Sequence, residues 1–256
     1  MKYKDQLKDR ILGCLLGGAL GDTMGFATEG HHYKTVRAKY GLVNRLITRD
    51  FGDELTPPVT KPVYTDDTVM RHMVCRTIFD TDGYPTIEAL AKVWRESITD
   101  FEHWHWWNNT RIIGAKLKWG QWLDLRNLGS DSIACNDASM IIAPVGLLNP
   151  CNPRLAALEA LELSGLWQNS YSRDCAAAMA AAHSQAVSPD ATIDTVIETA
   201  KKYSGKLAGY ITRAIKLAEE VKSPETFTEE YYKRFVPGPN EDYWCGISSH
   251  KDGSPW

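Results

Sequence analysis

The segment Tyr64-Thr65-Asp66-Asp67-Thr68-Val69-Met70 places two adjacent carboxylates between two hydroxyls, directly ahead of apolar residues at helical spacing. A helix N-terminus attracts carboxylates through its free N–H groups and its dipole, so the minimal reading is a capped first turn. The same side chains also make half of a hard-cation site. Mg²⁺ or Mn²⁺ takes oxygen ligands in octahedral geometry and rarely draws them all from one segment. Two other segments carry comparable chemistry. In Gly21-Asp22-Thr23-Met24-Gly25-Phe26-Ala27-Thr28-Glu29, two carboxylates leave a glycine-rich apolar run; such groups are either satisfied caps or site residues. In Asn136-Asp137-Ala138-Ser139-Met140-Ile141-Ile142-Ala143-Pro144-Val145-Gly146, a small polar turn leads into an apolar helix. There Asn136, Asp137 and Ser139 either cap the helix or leave N–H groups exposed for a sugar or phosphate.

Other candidates read more simply. His103 and His105 stand among Trp104, Trp106 and Trp107, rings on which a purine could stack, but core or rim aromatics are the plainer reading. His31 and His32 follow Glu29, and adjacent side chains on a helix diverge, which argues against a joint metal pair. His183, inside an alanine-rich helix, reads as a packing residue. No Gly-x-Ser-x-Gly elbow is present, and nothing motivates a covalent serine or cysteine nucleophile.

Taken in order, the three segments resemble the ADP-ribosylglycohydrolases, the group containing the dinitrogenase-reductase-activating glycohydrolase and the ADP-ribosyl-acceptor hydrolases. Arg10 through Gly25, with Glu29 behind it, is similar to the family's first helix and acidic turn. Tyr64 to Met70 is similar to its Thr-Asp-Asp-Thr metal motif. Asn136 to Gly146 resembles its Asn-Gly-Ala-Ala-Met-Arg-Ile-Ala-Pro-Leu-Gly stretch. The resemblance covers about Asp9 to Val187.

It implies a single all-α orthogonal helical bundle and a metal-dependent hydrolase that cleaves the glycosidic bond of ADP-ribose on a protein side chain or in a related ribosyl compound. It also implies a centre of two Mg²⁺ or Mn²⁺ ions. Thr65, Asp66 and Asp67 would be metal ligands, with Asp66 and Asp67 thereby catalytic. Glu29 matches the acidic position that in some members handles the attacking water. Asp22, Asn136, Asp137 and Ser139 become the substrate-binding candidates.

The sequence departs from the family pattern in several places. The family's second acidic motif, Asp-x-Asp-Thr before an alanine-rich helix near the C-terminus, has no counterpart: Asp252-Gly253-Ser254-Pro255-Trp256 precedes no helix, and Glu241-Asp242 sits in a turn-rich stretch. Residues 1–256 therefore read as one domain, C-terminally incomplete relative to the family, whose second metal lacks ligands unless another chain completes the site. Asp137 replaces a glycine, Ile141 the usual arginine, and no histidine stands near Asn169-Ser170-Tyr171-Ser172. The alternatives are a catalytically impaired binder of ADP-ribose or a nucleotide, and a nucleosidase-like hydrolase of small ribosyl compounds.

Helical patterning supplies the elements that must hold these residues. Helices are expected over Tyr3 to Met24, from Thr65 to the turn at Asp80–Pro85, Thr86 to Phe101, Thr110 to Leu123, Asn136 to Leu148, Leu155 to Leu166, Arg173 to Val187, Ile193 to Tyr203, Lys206 to Val221 and Thr228 to Phe235. Thr28 to Val63 reads as irregular, and the first helix as buried, its Gly13, Gly17, Gly18 and Gly21 admitting other backbones. Strand signals are few. Of the 256 residues, 43% are hydrophobic and 24% charged, as in ordinary globular proteins. A net charge of −3 without basic clusters argues against nucleic-acid or anionic-membrane partners. The apolar run from Ile11 to Leu20 is too short to cross a bilayer and carries no signal-peptide cleavage pattern. Six scattered cysteines without a C-x-x-C pair read as reduced thiols, which points to the cytoplasm.

Overall fold

The computed structural model describes residues 2–50, 59–98, 108–120 and 124–235. Side-chain caps fix where several helices begin. Thr65 accepts from the Asp67 amide to start α3 (Asp66–Asp80), and Thr86 accepts from the Ala89 amide to start α4 (Ile87–Ser97). These follow α1 (Lys2–Phe26) and α2 (Tyr33–Tyr40), and α5 (Asn108–Lys118) comes next. The Asn136 segment forms two short helices, α6 (Asp137–Ile141) and α7 (Ala143–Leu148), because Pro144 has no N–H to continue the first one. Then come α8 (Pro153–Ser164), capped by Asn152, and α9 (Ser170–Ala186). The last three are α10 (Ile193–Tyr203), with a Thr192/Thr195 capping box, α11 (Ala208–Glu220) and α12 (Pro224–Phe235). The described residues hold no strand, and the all-α expectation holds. None of these helices is long and apolar enough to cross a membrane.

The core lies where α3, α4, α5, α6, α7, α8 and α9 converge. Met70, Leu90, Ile113, Ile141 and Ile142 are fully buried there, and the Trp94 and Trp167 rings pack 5.1 Å apart. Burial of each large apolar side chain contributes about 1.5–3 kcal/mol, so this half of the molecule carries most of the driving force. Helix α9 fits because it is built from alanine: Ala176, Ala177, Ala178, Ala180 and Ala181 are buried, and α6, α7, α8 and α10 all pack on it. Gly146 in α7 completes the fit, since a Cβ there would stand 2.4 Å from the Ala180 carbonyl oxygen.

Two sequence expectations need correction. Helix α1 is not buried: Leu12, Leu16 and Leu20 are about half exposed, and a Cβ on Gly13, Gly17 or Gly21 would meet nothing within 4 Å. Only Gly18 is closely approached, and by the Arg71 side chain rather than by backbone. The stretch from Thr28 to Val63 also contains α2, a two-turn helix with no buried residue and hence almost no periodic apolar signal. The expected helix ends at Phe101 and Leu123, the aromatic loop with His103 and His105, and the acidic residues Glu241, Asp242 and Asp252 lie outside the described residues.

Candidate active site

Asp22 joins α1 to α3. From the last turns of α1 its carboxylate accepts the Thr65 amide (2.9 Å), the Thr65 hydroxyl (2.7 Å), the Thr68 amide (3.2 Å) and the Thr68 hydroxyl (2.6 Å). A carboxylate 43 residues away in the chain thus caps α3 together with Thr65, satisfying N–H groups that a helix start leaves open. This explains why two hydroxyls flank the two aspartates: both are donors to Asp22. Asp67 lies beside this knot, partly buried, with one oxygen 3.2 Å from the Thr65 hydroxyl oxygen. Burial raises its carboxyl above the usual carboxylate range, and the neighbouring Asp22 charge raises it further, against the pull of the Thr65 contact and Arg71. Two carboxylates this close favour a cation between or beside them.

The turn after α1 is held by Arg49, which is buried and donates through Nη1 to the Phe26 and Glu29 carbonyls, both at 2.9 Å. This latch fixes the backbone of Glu29 against the end of α1.

These pieces surround one cavity of about 560 Å³. Cys14, Gly18 and Asp22 of α1 line one side, with Glu29 beyond them; Thr65, Asp67 and Arg71 come from the start of α3. Asn136, Ser139 and Met140 come from α6 and its cap, and Met179 and His183 from α9. Four segments widely separated in sequence therefore converge. Ser139 donates to the Asn136 carbonyl at 2.7 Å, whereas the Asn136 side chain makes no cap bond to its own helix.

Two sequence candidates lie elsewhere. Asp66 is not on the cavity wall. Asp137 is 3% exposed and also off the wall; it accepts from the Asn109 amide at 3.1 Å. Burial pushes its carboxyl up to about 6, opposed by amide donors from Gln168 and Asn109. The Asp137 side chain thus turns into the protein rather than into the cavity.

His183, expected as a packing residue, and Arg71, which no motif singles out, also stand on the cavity wall. His183 lies on the cavity wall, with Nδ1 2.7 Å from the Met179 carbonyl. A carbonyl only accepts, so Nδ1 carries the proton and Nε2 keeps a lone pair. Burial lowers its pKa, leaving the ring neutral at neutral pH. Arg71 is 9% exposed and donates to the Met140 carbonyl at 2.8 Å. Neither residue has a local sequence signature: Arg71 sits inside α3 and His183 in the last turn of the alanine-rich α9.

The donor chemistry suits a hard cation in part. Thr65, Asp67 and Glu29 offer oxygens to one region, yet the described residues contain no group of three or more His, Cys, Asp or Glu able to hold a metal ion.

The chain matches the family model described as ADP-ribosylglycohydrolase over residues 3–248. It is 24% identical to an uncharacterized protein of Archaeoglobus fulgidus over 142 residues, 56% of this chain and 44% of that relative. It is 22% identical to the uncharacterized protein YegU of Escherichia coli over 262 aligned residues, 94% of this chain and 76% of that relative. The match thus spans less than half the length of the archaeal protein.

Proposed function

Starting from a chain that belongs to the ADP-ribosylglycohydrolase family, we propose that the cavity hydrolyses the glycosidic bond between ADP-ribose and a protein side chain, or that of a related ribosyl compound. The observation that carries this reading is the convergence of Asp22, Glu29, Thr65, Asp67, Asn136 and Ser139 on one cavity. Cleavage at an anomeric carbon passes through an oxocarbenium-like state, and carboxylates around the sugar stabilise the positive charge as it develops. Asp67 suits that task by position, since it stands on the cavity wall beside Thr65 and Glu29. Glu29, with its backbone latched by Arg49, would orient the attacking water and accept its proton. Asn136 would hold the sugar through its amide, which no helix cap consumes. Asp22, with four hydrogen bonds already made, positions the α3 start rather than meeting the sugar.

A divalent ion of the Mg²⁺ or Mn²⁺ class would be held by Thr65, Asp66 and Asp67, and would fix the ribose hydroxyls and polarise the sugar when bound. A second ion would need ligands beyond the described residues, from a further segment or a second chain. Six scattered cysteines without a C-x-x-C pair suit a reducing compartment, and we propose a cytoplasmic setting.

Asp66→Asn combined with Asp67→Asn is expected to abolish Mg²⁺- or Mn²⁺-dependent release of ADP-ribose from an ADP-ribosylated protein, measured by chromatography. Undiminished release would overturn the assignment of these carboxylates. The partial metal shell favours one second reading, a relative that binds ADP-ribose or a nucleotide without turnover. Calorimetric binding of ADP-ribose with little metal dependence and no product would select it.

A further inference from the structure

Arg71 has chemistry that the carboxylates do not use. It lines the cavity, is nine-tenths buried, and spends one nitrogen, Nη2, on the Met140 carbonyl at 2.8 Å. Nε and Nη1 have no hydrogen-bond partner, and Arg71 makes no ion pair with any described residue. A buried guanidinium with unmade hydrogen bonds is costly, and the cost is recovered when an anion arrives. The fold makes room for this group. Gly18 lies mid-helix in α1, where no special backbone conformation calls for glycine, and a Cβ there would stand 2.1 Å from Arg71 Nη1.

Position narrows the anion. Arg71 follows Asp67 by four residues on α3, so the two side chains rise from the same face with Cβ atoms roughly 5–6 Å apart. We propose that Arg71 is a specificity-determining residue that receives the 5′-phosphate of the substrate's ribosyl group, making a 5′-phosphorylated ribosyl unit, rather than ribose alone, the smallest ligand the cavity takes well. This rests on the reading that the carboxylate wall meets the ribose, because the 5′-phosphate is the anion of an ADP-ribosyl group nearest its anomeric carbon. A guanidinium and carboxylates on one wall orient the sugar: its phosphate end goes to Arg71 and its anomeric end to Asp67 and Glu29. The Met140 contact holds the guanidinium in place and leaves Nε and Nη1 as donors for the phosphate.

The test compares ribose 5-phosphate with ribose by calorimetry on the full chain. Wild-type protein should prefer ribose 5-phosphate by about tenfold or more, as a charge-assisted hydrogen bond warrants. Arg71→Gln should cut that preference to about twofold, and Arg71→Lys, which keeps the charge but not the planar fork, should fall between. A folded Arg71→Gln protein with the wild-type preference would overturn the proposal. If that variant does not fold, ¹⁵N-labelled wild-type protein decides: the Arg71 Nε–H resonance, identified by its loss in Arg71→Lys, should shift with ribose 5-phosphate and not with ribose. An unmoved resonance at saturating ligand would overturn the proposal as well. Both readouts are independent of turnover. An Arg71-dependent phosphate preference without glycosidic cleavage keeps this site and removes the hydrolase reading; cleavage with no such preference does the reverse.

Discussion

Helices α1 and α9 both wall the cavity, and both are rich in small residues, but they use them differently. In α9 the alanines are buried, and α6, α7, α8 and α10 pack directly on them. In α1, Gly13, Gly17 and Gly21 meet nothing, and the neighbouring Leu12, Leu16 and Leu20 are half exposed. A small residue permits close approach but does not create it; a partner with a matching surface must be there. One side of the cavity is therefore set by tight packing, and the other by a helix fixed chiefly through polar contacts, the Asp22 knot above all.

Substitutions at glycines should separate the two regimes most sharply. Gly146→Val pushes a branched side chain into the Ala180 carbonyl, which is backbone and cannot swing aside. A loss of about 3 kcal/mol or more is expected in urea denaturation. Gly17→Ala enters open space in a helix interior, so it should gain up to about 1 kcal/mol from helix propensity. Equal destabilisation by both changes would erase the contrast between α1 and α9.

A smaller effect is expected at Asp137, in the densely packed half. Its carboxyl titrates at about 6 in the folded protein, above the value of about 3.9 for an unperturbed aspartate. Between those values the folded state holds a proton that the unfolded state has lost, so stability falls as pH rises through the window, and the deficit is complete above it. Asp137→Asn removes the deficit and still offers an oxygen to Asn109. It should stabilise by on the order of 2 kcal/mol at pH 7.5, with the gain vanishing near pH 4, as followed by thermal melts across pH.

Much of this architecture is legible in the sequence because capping chemistry is local. Thr65, Thr86 and Thr192 mark helix starts by their own hydroxyls, and the bounds of α10 follow directly from its sharp apolar face. The cavity side chains Asp67, Glu29, Asn136 and Ser139 are legible for the same reason, since each stands at or near a helix boundary. What stayed hidden depends on distant partners. No local pattern says that Asp22 reaches the α3 start, that Asp137 turns toward Asn109, or that Gly18 accommodates Arg71. The exposure of α1 was equally unreadable, because an apolar, glycine-rich run looks the same whether or not another element covers it.

The cavity itself offers the most direct test of where ligand binds. Cys14 lines it, whereas Cys151 is exposed and lies off its wall. Burial raises the Cys14 thiol pKa, so alkylation there is slow and sensitive to occupancy. Peptide-resolved mass spectrometry of a thiol-alkylation time course, with and without saturating ADP-ribose, reports both sites at once. Protection of Cys14 with an unchanged rate at Cys151 is the predicted result. Unchanged alkylation at both would contradict the assignment of this cavity as the ADP-ribosyl site.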